Sequence, residues 1–280
     1  MSFILRLIRI KYRILSVIFP GWAANSAFKL FQKPHNFKIR EREKDFLAIS
    51  EIYKIENSPE DLIFYRKGNH DGERVLMIHG WDSNPGSMSG IAEKLVENGF
   101  NVFAFNVPAH GISKVESTNM LEVSDLLVTA VKKLSENGKI NAVTHSFGSG
   151  AISFALEKSD IELNKMVFVT TPDKISDIFY DFASKIDLSE KSYKKLLEMT
   201  SIKFNRSMDD LAISNLLSNA KYNKLLLIHD KNDKILPFKN SISIKEKNKN
   251  VEIFQTKDTG HYRILWDENV IEKVNEFMKN

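Results

Sequence analysis

The chain has 280 residues, 42% hydrophobic and 27% charged, a balance that fits one large α/β domain or two small ones. It has no cysteine, which excludes disulfides, thiolate nucleophiles and Cys-based zinc sites without fixing a compartment. The net charge of +4 is uneven: residues 1–44 hold 10 Lys/Arg against 2 Glu, so the remainder is net negative and offers no nucleic-acid footprint.

The basic end reads MSFILRLIRIKYRILSVIFPGW. On a helix, Arg6, Arg9 and Arg13 share one face, while Leu5, Ile8, Tyr12 and Leu15 share the other. It lacks the run of about 20 uncharged apolar residues that a membrane span needs. Three readings stay open: a helix docked on its own domain, peripheral membrane contact through residues 1–20, and a secretory signal. The last is weakened by an uncharged run of only Ile14–Phe19. Docking is favoured slightly, because Lys11 interrupts the apolar face and FPGWAANSAFKLF offers further anchors. Residues 1–50 are therefore set apart as a basic, amphipathic helical segment, with Pro34 as a breaker.

Strand and helix patterns then alternate. EIYKI (51–55) and LIFYRKG (62–68) read as a strand pair, and RVLMIHG (74–80) as a strand ending in glycine. IAEKLVENG (91–99) reads as a helix and NVFAFNVP (101–108) as a strand. MLEVSDLLVTAVKKLSENG (120–138) is a long amphipathic helix. KINAVTH (139–145) is a strand, Phe147–Lys158 a helix and KMVFVTT (165–171) a strand. About fifty residues of helical pattern follow. KLLLIHD (224–230), VEIFQT (251–256) and a helix over 267–279 complete the chain, with KEKNKN (245–250) as a solvated loop. The alternation predicts a mostly parallel central sheet with helices on both faces, interrupted by an insertion of two or three helices.

Within NAVTHSFGSG (141–150), Ser146 falls where a buried strand gives way to a helix. Gly148 and Gly150 would let that helix pack tightly on the sheet. The plainer reading is a helix N-cap. A serine hydroxyl needs an adjacent base, and the base an orienting carboxylate. His261, in DTGHYRIL, lies between the last strand and last helix. LLLIHDKNDKILPF puts Asp230 and Asp233 just past a strand end. Strand C-termini of an open parallel sheet share one edge, so Ser146, one of these aspartates and His261 meet there. The Trp81 and Phe147 backbone N–H groups are the natural donors to a developing oxyanion.

HGW (79–81), FNVPAHGIS (105–113), THSFG (144–148), HDKNDKILP (229–237) and TGH (259–261) together resemble the landmarks of the α/β-hydrolase-fold serine hydrolases, from residue 74 to the end. The resemblance implies that fold over 51–280, with a helical cap at about 172–222 after the sixth strand. It assigns the acid to Asp233, keeps Asp173 as the other candidate and makes Asp230 a brace of the turn. It implies hydrolysis of small or lipid-like esters with no metal or organic cofactor. Amide, peptide and thioester hydrolysis on the same triad remain alternatives, as does a non-catalytic binding protein of this fold. A peptidase would need a carboxylate for the substrate amine, for which Asp177, Asp181 and Glu190 are available. Thr144 stands where the family pattern has glycine. His79, His110 and His145 are read as braces, and Phe179, Tyr180, Phe182 and Tyr193 chiefly as the insertion's own core. The expected setting is cytoplasmic, with a peripheral position at the inner membrane surface left open. The partner is a small-molecule ester or lipid-like substrate, not nucleic acid, and oligomeric state is not readable.

Overall fold

A computed structural model describes residues 3–35, 39–55, 62–136 and 138–280. Residues 1, 2 and 137, which fall in the predicted N-terminal helix and the predicted helix 120–138, lie outside the described residues. In chain order the elements are α1 (Phe3–Ile18), α2 (Pro20–Phe31), α3 (Glu41–Ile49), β1 (Glu51–Lys54), β2 (Ile63–Gly68), β3 (Arg74–Ile78), α4 (Ser89–Glu97) and β4 (Asn101–Phe105). Then come α5 (Met120–Leu134), β5 (Asn141–His145), α6 (Phe147–Glu157), β6 (Glu162–Val169), α7 (Ile175–Ile186), α8 (Glu190–Phe204) and α9 (Ile213–Leu216). The last are β7 (Lys221–Asp230), α10 (Lys239–Lys247), β8 (Val251–Thr256), α11 (Gly260–Arg263) and α12 (Glu268–Lys279).

By internal contacts the chain forms two compact units: Met1–Lys33 with Lys174–Ala212, and Pro34–Asp173 with Ile213–Asn280. The larger unit holds an eight-stranded sheet in the order β1-β2-β4-β3-β5-β6-β7-β8. β1, β2 and β4 pair antiparallel, and every pairing from β4 through β3 to β8 is parallel. This is the α/β-hydrolase fold, with the helical insertion after the sixth strand.

Period-two alternation divides each central strand between two cores. Leu76, Ile78, Ala142, Phe168, Leu225 and Leu227 face one apolar cluster, with Leu127 and Val131 of α5 and Ile152 of α6. Val75, Met77, Val143, Val167, Leu226 and Ile228 face the other, with Ile91 and Leu95 of α4 and Val270 and Val274 of α12. Strands buried on both faces read as nearly continuous apolar runs, which explains why RVLMI and LLLI were recognisable. Element ends shift by a few residues, as frayed ends do. KEKNKN is a larger departure from the expected loop: its first three residues complete α10.

The smaller unit joins the N-terminal helices to the insertion. Tyr12, Ala27 and Ile186 are buried together, flanked by Ile8, Leu30, Phe182 and Leu188. The Phe31 ring meets Phe179 at 4.5 Å and Phe182 at 5.0 Å, so those two aromatics are core, whereas Tyr180 is exposed against Tyr193. Arg13 Nε donates to Asp187 Oδ2 at 2.7 Å, and Ser16 Oγ accepts from Ser189 N–H at 3.2 Å. The expected packing stripe of α1 is the one used. The expected charged face is used in part: Arg6 and Arg13 are exposed, whereas Arg9 turns to Lys185 and Asp187, and an exposed apolar arc lies beside them. Among the described residues no helix is long and apolar enough to cross a membrane.

A chain beginning at Ser26 loses α1 and opens this small core, so it should melt at lower temperature or precipitate. Tyr12→Ala alone should cost about 3 kcal/mol. A calorimetric trace unchanged by either alteration would show that α1 contributes nothing to folding.

Candidate active site

The turn from β5 into α6 carries Ser146 at φ 51°, ψ −113°, a backbone conformation L-residues avoid. Its N–H is shared between Val169 O at 3.1 Å and Thr170 O at 3.0 Å, which ties the turn to the end of β6. The turn also demands missing side-chain atoms. A Cβ at Gly148 would lie 2.4 Å from Ile78 O, so α6 can approach β3 this closely only with glycine. A Cβ at Gly80 would lie 2.7 Å from His145 Nδ1 and 3.2 Å from Ser146 Cβ, so the HGW loop also crosses tightly.

Thr144 is accommodated by its hydroxyl. Thr144 Oγ1 is 2.8 Å from Ser149 Oγ, a buried pair spanning the turn from strand to helix. The threonine that departs from the family's glycine thus gains a partner on the helix it precedes.

His261 lies in the single-turn helix α11, not in the irregular loop expected for it. Its Nδ1–H donates to Asp233 Oδ2 at 2.8 Å, and both side chains are buried. Asp233 Oδ1 accepts from the Ile235 and Leu236 amides at 2.7 and 3.0 Å. Burial opposes ionisation of Asp233, but the hydrogen bond and charge of His261 and these two amides hold its pKa below the usual carboxylate value. Asp230 Oδ2 accepts from the Thr259 and Gly260 amides and the Thr259 hydroxyl, and Oδ1 from Asn232 N–H. Against its burial, these bonds bring Asp230 to a pKa of about 2 and strap the end of β7 to the start of α11, which carries His261. Asp173 spends its carboxylate elsewhere, on Ser214 N–H at 2.8 Å and Ser243 Oγ at 2.6 Å.

The serine turn and the histidine are linked by His145. Its Nε2–H donates to His261 O at 3.0 Å, and the two rings lie 5.0 Å apart. Among the described residues no hydrogen bond joins Ser146 Oγ to His261. Phe147 opens α6, so its N–H belongs to the first turn that has no intrahelical acceptor. Trp81 meets Phe147 at a tilt and His110 edge-on, with centroids 5.1 Å from each.

His79 and His110 brace this loop. His79 Nε2 accepts from Val107 N–H and its Nδ1–H donates to Gly80 O. His110 Nε2 accepts from Asp82 N–H and its Nδ1–H donates to Pro108 O. His229 was missed by sequence reasoning. It is buried, bonded to Ser241 and Leu236, and its Nε2 lies 3.8 Å from Asp233 Oδ2. Its only signal was its place at the end of an apolar strand beside Asp230.

Residues 73–219 match the family described as alpha/beta hydrolase fold. The chain belongs to that family. An AB hydrolase superfamily protein of Gibberella zeae is 31% identical over 103 residues, 36% of this chain; the match spans only 36% of that protein's length. A solved structure of an esterase of Pyrococcus furiosus covers 88% of this chain and 98% of its own, at TM-score 0.65 and 24% identity. A bromoperoxidase from Bacillus anthracis covers 82% and 100%, at TM-score 0.56 and 18% identity. At these identities the likeness to solved structures is one of fold.

Two outcomes follow. Thr144→Val leaves Ser149 Oγ buried without its partner and should cost about 1–2 kcal/mol, most of which Ser149→Ala in the same chain should restore. A denaturant series showing additive losses would contradict the pairing. The second concerns acid. Burial lowers the pKa of His79, His110 and His229, and burial followed by the charge of His261 lowers His145 to about 3. The fold disfavours the charged form of each, so protons are taken up on unfolding. Their contribution is complete above the ordinary value of 6.5 and is lost as pH falls below it. The loss steepens by about 1.4 kcal/mol per pH unit for each whole proton taken up on unfolding, a slope that His145 reaches between its ordinary value and about 3. A stability flat from about pH 7 to about pH 5 would refute this.

Proposed function

We propose that the chain is a serine hydrolase that cleaves carboxylic esters, small or lipid-like, through an acyl-enzyme intermediate. The observation that carries this reading is the buried Asp233–His261 hydrogen bond, its histidine on the one-turn helix that His145 ties to the turn bearing Ser146. In this reading Ser146 Oγ attacks the acyl carbon as its proton passes to His261 Nε2. Asp233 holds the ring by Nδ1–H and offsets the imidazolium charge. The tetrahedral oxyanion accepts from Trp81 and Phe147 N–H, the latter at the positive end of α6. His261 returns the proton to the departing alkoxide, and the alcohol leaves. Water then attacks the acyl carbon, giving its proton to His261. Collapse releases the carboxylic acid and reprotonates Ser146. The route asks for no metal or organic cofactor. By its place after β6, the insertion is assigned the role of the cap.

Resting sites of this kind are often looser than their substrate complexes, which accounts for an unformed Ser146–His261 hydrogen bond. The same observation favours one second reading, a non-catalytic binding protein of this fold. The two are separated by a fluorophosphonate probe and a panel of p-nitrophenyl esters, thioesters and anilides. Labelling at Ser146 with ester turnover, both lost in Ser146→Ala, is the expected result; an unlabelled, folded chain would favour binding alone. Asp233→Asn should lower kcat by about 10⁴-fold while the fold persists. Asp173→Asn should change turnover per folded molecule little, and the reverse pattern would move the acid to Asp173.

A further inference from the structure

We infer that the outward side of α1 and the start of α2 form a docking surface for a bilayer containing anionic lipid. α1 carries two apolar stripes. Leu5, Ile8, Tyr12 and Leu15 recur at spacings of three and four and turn inward, with Tyr12 fully buried in its own unit. Phe3, Leu7, Ile10, Ile14 and Val17 recur at the same spacings on the opposite side and are left uncovered, Phe3 at 74% and Val17 at 78% exposure. Trp22, 75% exposed at the start of α2, adds an aromatic ring of the kind that settles at headgroup level. Uncovered large apolar side chains in such a contiguous row mark an interaction surface rather than ordinary scatter.

Charge selects the occupant. Arg6 and Arg13 flank the outward stripe on one side and Lys11 interrupts it on the other. Residues 1–40 contain no Asp or Glu. Arg13 is held by Asp187, which orients it but leaves its side chain 69% exposed. A second copy laid against this stripe would bring these cations onto one another. Anionic headgroups would meet them with the opposite sign. A 16-residue helix with one face packed on protein cannot cross a bilayer, so it lies in the plane of the interface, the uncovered stripe among the acyl chains. This docking does not depend on the hydrolase reading.

The test uses the full chain with vesicles of phosphatidylglycerol mixed with phosphatidylcholine, against phosphatidylcholine alone. Co-flotation with the mixed vesicles should be about tenfold or more the stronger and should weaken at high salt. Leu7→Ser with Val17→Ser should abolish it with unchanged melting temperature, because the packed stripe is untouched, and Arg6→Glu with Lys11→Glu should weaken it about tenfold. Ser146→Ala should bind as the parent chain does, which separates docking from capture of lipid as substrate. No flotation with either vesicle, or equal flotation with both, would overturn the inference. So would a concentration-dependent dimer, abolished by Leu7→Ser with Val17→Ser, in a chain that ignores vesicles.

Discussion

The candidate site depends on one strained residue. Ser146 at φ 51° and ψ −113° is held outside the regions an L-residue prefers, at a cost of about 1–3 kcal/mol. Such a conformation persists only when its surroundings determine it. Three constraints do so here: the Ser146 N–H shared by two carbonyls at the end of β6, the contact of α6 with β3 that Gly148 permits, and the HGW loop that Gly80 lets cross beside it. The sheet supplies the anchor, because β3, β5 and β6 are neighbours and their C-terminal ends share one edge.

Around that turn, histidine is used mainly as a neutral connector. His79, His110, His145 and His229 are buried, and each has at least one ring nitrogen bonded to a backbone group. A neutral imidazole both donates and accepts, so it can splice two loops that offer one group of each kind. His79 and His110 do this for the loop after β3, and His229 for the turn after β7. His261 differs in its partner. Its Nδ1 meets a carboxylate at hydrogen-bond distance, which no ring nitrogen of those four buried histidines does, so a negative charge is placed directly to stabilise a positive one. That difference of partner, more than the presence of histidine near a serine, separates the proposed base from the braces.

How much of this was readable from the chain depends on how local each feature is. The sheet order follows from apolar runs and helix patterns within short windows, and its strands appear where RVLMI, NAVTH and KLLLIHD predict them. The strand-end positions of Ser146, Asp233 and His261 were legible for the same reason. The hydroxyl pair of Thr144 and Ser149 was not, because the two lie five positions apart across a turn whose geometry no periodicity encodes. The one-turn helix carrying His261 was too short to leave a pattern. The partner of the N-terminal helix was hidden for another reason: Arg13 with Asp187, and Ser16 with Ser189, pair over more than 170 residues of chain.

The N-terminal helix also shows why charge can mislead a reading of helical faces. Arg6, Arg9 and Arg13 lie near one another on the wheel, and three arginines suggest a solvated side. Their long aliphatic stems let the guanidinium groups reach partners away from their own Cα positions. Arg9 and Arg13 both reach Asp187, at the left-handed end of α7, and so belong to the packing of their unit. What else remains outward is set by the other positions of the wheel, and those are mostly Phe, Leu, Ile and Val, bordered by Arg6 and Lys11. A helix with apolar stripes on opposite sides has a use for both only if it lies between two apolar media. One is the core closed by Tyr12, Ala27 and Ile186. The absence of acidic residues through residue 40 is a constraint that packing alone does not impose, since Asp187 would be satisfied by a single arginine. A negatively charged surface as the second medium accounts for both the apolar stripe and the one-sided charge.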